Sequence, residues 1–223
     1  CIIMLQYQQV TTFNLGYQTE GLATTYHYFE NREVGRATIA NLPMVEDIAF
    51  SMMDIGVEIS GDFVGDPGGK MLFSASLNYC DYNYMPLLGI KIKEGKSMNS
   101  PGQTVINEEY VRLMRWTDSP IGKGPNAAMN RDAVIVGVME NFVSNSLFVD
   151  TEPLMYVAKP DVQGCITVKL KEPYKESLKG LNESIKETFP TTRIEFTYMP
   201  DRLIQKYEST RRFRDMVLLA FIF

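Results

Sequence analysis

The feature that most constrains this chain is one amphipathic segment set between two strand-like runs. Across residues 174–189, Leu178, Leu181, Ile185 and Phe189 recur at three- and four-residue steps. That spacing lines up one apolar face of a helix. Pro190 follows as a stop signal. Apolar, β-branched runs flank it at 166–170 and 194–198, and a further strand is read at 154–158. The last third is therefore predicted to hold a strand–helix–strand unit that must bury the helix face against a sheet.

The first third repeats the theme. Residues 22–29 read as a strand, 33–41 as a short helix ended by Leu42-Pro43, and 45–52 and 57–59 as strands. Asp66-Pro67-Gly68-Gly69 is a tight turn leading into an alternating strand at 71–77. The middle differs. It offers a short helix at 81–88, an edge strand at 90–92, a turn at 94–96 and a strand at 104–106. Asn107 is a natural N-cap for a helix at 108–115. A loop at 118–124 and a buried-looking strand at 133–139 complete it. A final helix opens at Pro200 or Asp201. The expected fold class is α+β, with the outer thirds forming one subdomain and the middle third inserted as a mixed module.

With 45% hydrophobic and 22% charged residues, the 223-residue chain can bury a core. A net charge of −5 argues against a nucleic-acid partner, which requires a concentrated basic surface. The apolar run 216–223 is too short to span a bilayer, which takes about 20 residues. It lacks the polar face of a docking helix and reads as the start of a membrane helix. Arg211, Arg212 and Arg214 precede it; the positive-inside rule would put them on the cytoplasmic side, against that placement.

No catalytic, cofactor-binding or metal-ligating residues are assigned. The single histidine, His27, lies in a predicted strand, and no G-x-S-x-G surrounds a serine. Asp62 and Asp66 read as turn residues, and Glu108-Glu109 as the acidic first turn of a helix. Gly122-Lys123 lacks the Ser or Thr and the spacing of a phosphate loop, and Gly68-Gly69-Lys70 reads as a hairpin. Cys80 and Cys165 are candidates either for a disulfide or for two small buried side chains.

Several segments, in order, resemble the MacB-like periplasmic core domain of FtsX-like ABC-transporter permeases. They are Phe13-Asn14-Leu15-Gly16-Tyr17 with Leu22, then Leu42-Pro43-Met44-Val45-Glu46, then 84–90 with Glu94-Gly95-Lys96. Val105-Ile106-Asn107-Glu108, the loop 118–123, the segment 135–142 and the stretch 207–213 follow. Lys96 stands where arginine is commoner in that family, and Met139-Glu140-Asn141 lacks a basic–acidic pair often found there.

The resemblance implies a non-catalytic extracytoplasmic domain of an inner-membrane permease, with this segment on the periplasmic side. It implies a membrane-proximal stalk at 1–18 and a porter-like subdomain from 19–78 and 153–200. A Sabre-like insert would occupy 79–152, and a stalk helix entering a membrane helix 201–223. Implied partners are a cytoplasmic ABC ATPase, a second permease copy, and a periplasmic adaptor or a peptide or lipoprotein substrate. No cofactor is implied. ATP hydrolysis would be transmitted as motion through the stalk. The alternative is a soluble or surface-anchored binding module, which an aromatic groove at Tyr82, Tyr84 or Trp116 would favour.

Overall fold

The computed structural model describes residues 15–55, 61–66, 68–144 and 151–205. The strands are β1 (Leu22–His27), β2 (Val45–Ser51), β3 (Gly61–Gly65), β4 (Met71–Cys80), β5 (Ile92–Gly95), β6 (Gln103–Asn107), β7 (Val134–Met139), β8 (Leu154–Ala158), β9 (Gly164–Leu170) and β10 (Thr197–Tyr198). The helices are α1 (Arg32–Ala40), α2 (Tyr84–Leu87), α3 (Glu108–Met114) and α4 (Tyr174–Thr188), followed by a helical segment α5 at 199–205. The strands form one mixed sheet in the order β10-β1-β9-β2-β4-β8-β6-β7-β5, with β3 paired to β4. The α+β reading holds.

One half of the sheet, β10-β1-β9-β2, is antiparallel throughout. Its central strand β9 is buried at every position but the partly exposed Lys169, with Thr167 as the polar side chain held inside. α1 and α4 cover one face: Ile39, Leu181 and Ile185 pack with Ile48, Phe50, Ile166 and Val168. The other half is mixed. β4 runs parallel to β8 and β6 parallel to β7, while β6–β8 and β5–β7 are antiparallel. Tyr110 of α3 packs on one face of it with Leu77, Ile106, Ile135 and Met155. The opposite face continues across both halves. There Leu15, Ile55, Tyr84, Tyr156, Met199 and Leu203 join one cluster, so α5 lies against it.

The two halves meet at a narrow seam, because β2 and β4 pair at a single position, Ser51 with Cys80. Hydrogen bonds from Met52 N to Tyr79 O at 2.7 Å and from Asp81 N to Phe50 O at 2.9 Å extend it slightly.

Several expectations shift in detail. The edge strand is Ile92–Gly95 rather than 90–92, because Ile90 turns into the core. Gly95 stays paired, at φ 76°, where a Cβ would meet Val136 O. The run 194–198 yields a strand of only two residues. Phe196 is tied instead to the Asn182 side chain, its N–H donating at 2.8 Å and its carbonyl accepting at 3.0 Å. The predicted strand at 57–59 lies outside the described residues, as do the arginine cluster and the run 216–223.

Candidate functional site

The seam concentrates the buried polar groups of the molecule. One residue past Cys80 comes Asp81, and three past Ser51 comes Asp54; both are nearly fully buried. Each carboxylate is met by arginine from a different element.

Asp81 faces α1. Arg36 Nη1 donates to its Oδ2 at 2.6 Å and Arg32 Nη2 at 3.4 Å. The backbone N–H groups of Phe50 and Asn83 donate at 3.0 and 3.1 Å. Both guanidinium groups also stack over the Phe50 ring, Arg32 at 4.5 Å and Arg36 at 5.7 Å. Burial, the largest influence, pushes the Asp81 carboxyl above its ordinary range, with Arg36 pulling back. The site is saturated: four donors surround one carboxylate.

Asp54 faces α5 on the opposite side of the sheet. Arg202 is its ion-pair partner. Burial again dominates and pushes the carboxyl up, with Arg202 the main opposing influence. The surroundings differ from those of Asp81. Thr24 Oγ1, Thr167 Oγ1, Tyr84 OH and Tyr156 OH are buried and have only weak partners, Asp54, Cys165, Ser51 and Asn78 respectively, none at full hydrogen-bond geometry. Thr24 and Thr167 are cross-strand partners, and the Tyr84 and Tyr156 rings stack at 6.1 Å. Asn78 braces the neighbouring loop, its Oδ1 accepting from Met53 N at 3.2 Å and its Nδ2 donating to Met53 O at 2.9 Å.

Ser51 also settles the cysteines. It pairs with Cys80 on one side and Cys165 on the other. Two strand spacings separate the cysteine Cα atoms by about 10 Å, beyond the reach of about 7 Å for a disulfide. Both are free, buried thiols whose pKa values burial raises well above normal.

The other residues weighed from sequence take structural places. His27 packs edge-on against Phe29 at 4.7 Å, and partial burial lowers its pKa. Asp66 closes the β3–β4 hairpin, accepting from Lys70 N at 2.9 Å. Asp62 is not a turn residue. It sits fully buried in β3 and accepts from Met129 N at 3.0 Å and Asn130 Nδ2 at 3.1 Å, holding the loop that crosses β3. Glu108 pairs with Lys93 and Glu109 with Arg112. Lys123 bridges to Asp118 at 2.7 Å and covers Trp116 at 5.1 Å. No group of three or more His, Cys, Asp or Glu converges among the described residues. No described helix is long and apolar enough to cross a membrane.

The aromatic groove is not formed. Tyr84 is core, Tyr82 packs beside it, and Trp116 belongs to the cluster around Tyr110. A cleft of about 450 Å³ lies instead beside the β3–β4 hairpin, lined by Phe63, Asp66, Met71, Asn126, Ala127 and Arg131 among others. Phe63 and Met71 are each more than half exposed there.

Comparison with solved structures identifies the architecture. The periplasmic region of MacB from Actinobacillus actinomycetemcomitans superposes with a TM-score of 0.61, covering 90% of this chain and 98% of that one at 17% identity. The fold is that of the MacB periplasmic region. The extracellular domain of the noncanonic ABC-type transporter YknZ from Gram-positive bacteria matches at TM-score 0.56 and 12% identity, covering 79% of this chain and 98% of that one. A domain of a candidate permease from Porphyromonas gingivalis matches at TM-score 0.54 and 14% identity, covering 81% and 91%. No family model matches the chain, and no curated protein does. Arg202 and Asp54 went unnoticed in the sequence. A lone aspartate after a strand and an arginine in a charged helix carry no local sign that they meet.

Proposed function

We propose that this chain is the extracytoplasmic domain of an ABC-transporter permease of the MacB/FtsX/LolC type. In this reading it does no chemistry. It converts cytoplasmic ATP hydrolysis into a change of shape on the periplasmic side of the inner membrane. The observation that carries the reading is the fold, which the MacB region shares along 90% of the chain. The seam supports it, because one paired position between two well-packed half-sheets is a natural hinge. α5 leads toward the C-terminal stretch and packs into the apolar cluster that spans both halves, so a pull on it would act on that cluster.

The same reading takes 19–78 with 153–200 as a porter-like unit and 79–152 as the insert, with 1–18 and 201–223 as stalks. A cytoplasmic ABC ATPase and a second permease copy would be the partners. The parent coding sequence tests it. Apolar runs of about 20 residues on both sides of this segment, with an ATPase gene beside it, are expected. A secretion signal and a stop codon near Phe223 would overturn it.

A soluble or surface-anchored binding module is the second reading. The exposed Phe63 and Met71 of the hairpin cleft favour it. It predicts a ligand that protects Phe63 and Met71 and a parent without membrane helices.

A further inference from the structure

The two carboxylate–arginine sites face opposite sides of one seam, yet they are built differently. Asp81 has two arginines, two backbone donors and two cation–π contacts. Such a site has no cheap alternative: moving α1 would strip several charge-assisted bonds at once. Asp54 relies on Arg202 alone for countercharge, and Arg202 is one-third exposed. Around it, four buried hydroxyls have only weak partners, none at full hydrogen-bond geometry. Buried polar groups whose bonds are poorly made raise the free energy of the closed arrangement and narrow its gap to a rearranged one.

We propose that Asp54–Arg202 is a releasable latch and Asp81–Arg36–Arg32 the fixed pivot, so that displacing α5 opens the seam on one face only. The inference rests on the permease reading for its purpose but not for its physics. α5 supplies Arg202, Met199 and Leu203 to the same face, so lifting the helix removes countercharge and apolar cover together. The carboxylate then left without its partner takes a proton from solvent rather than stay charged in an apolar setting. The groups facing Asp54 are Arg202 from α5, Thr24 from β1, the Ile55 amide, and the more distant Cys165, Tyr84 and Tyr156. Burial keeps that thiol and both phenols neutral, so Arg202 is the one charge among them.

Native-state hydrogen exchange on the full 223-residue chain tests this. Arg202→Met is expected to speed exchange about tenfold or more in 199–205, 51–55 and 78–80, with α4 and β6 unchanged. Adding Asp54→Asn to Arg202→Met should recover much of the protection, because the side chain no longer has to take up a proton to stay buried. Arg36→Met should act on α1 instead. In the unmutated chain, acidification that protonates Asp54 should reproduce the Arg202→Met pattern after correction for the intrinsic exchange rate. If Arg202→Met does not fold, Arg202→Lys, which keeps the charge but loses the fork, should show the same pattern more weakly. Unchanged exchange at 51–55, or equal acceleration in every segment, overturns the latch. A latch found in a chain whose parent has no membrane helices would overturn the permease reading alone.

Discussion

Replacing Asn107 should cost more than any other polar substitution outside the seam. Its side chain is fully buried and makes three bonds at once. Oδ1 accepts from Tyr110 N at 3.1 Å, capping α3, and from Leu154 N at 2.9 Å, at the start of β8. Nδ2 donates to Glu152 O at 2.8 Å. Asn107→Ala loses an N-cap, roughly 1 kcal/mol. It also leaves a β8 amide and a carbonyl unsatisfied, at about 1–3 kcal/mol each. The sum, about 3–5 kcal/mol after allowing for relaxation, is a large share of the roughly 5–15 kcal/mol that holds a domain folded. Urea unfolding followed by far-UV circular dichroism measures it as a fall in midpoint at constant slope. Asn107→Asp separates the parts: it keeps both accepting bonds but sets an oxygen against Glu152 O, so it should recover only part of the loss. A loss under about 1 kcal/mol for Asn107→Ala, or an Asn107→Asp chain as stable as the parent, would refute the reasoning.

Gly137 faces the backbone of the next strand, and a Cβ there would sit 2.3 Å from Lys96 O; Gly137→Ala should cost about 1–3 kcal/mol in thermal unfolding, and no change in Tm would contradict the β5–β7 pairing. Asp81 has its carboxyl pushed up by burial despite Arg36, so the native state binds that proton at higher pH than the unfolded chain. The charged form therefore costs stability in full above the native pKa, and the cost fades as pH falls from there to the lower pKa of the unfolded chain. Arg36→Met should accordingly destabilise more at neutral pH than in mild acid, and equal losses at both would contradict this. Cys80 and Cys165 should resist alkylation in the native state and react on unfolding, since burial keeps both protonated; an oxidant-induced Cys80–Cys165 bond in the folded chain would refute the register around Ser51.

The local grammar of the chain was largely readable. The steps Leu178, Leu181 and Ile185 put α4 in place, and Asn107 announced its cap, because both signals act within one or two helical turns. The sheet order was not readable. Strand neighbours such as β4 and β8 are set by contacts distant along the chain, which leave no periodic trace. Asp62 misled because aspartate beside glycine favours turns, yet here distant donors on Met129 and Asn130 hold it inside a strand. The seam eluded sequence reasoning for the same reason. Asp54 and Arg202 meet only through tertiary packing, and Ser51 acquires its place between two cysteines only once β2, β4 and β9 lie side by side.

The proposed permease role makes this domain part of an ATP-driven membrane machine. The most direct measurement is to extract the parent protein from its native membranes and assay ATP hydrolysis in the purified material. The account predicts a parent that resists carbonate washing, dissolves only in detergent and carries an ATPase with it. A parent released by carbonate, purifying alone and without ATP hydrolysis, would contradict it.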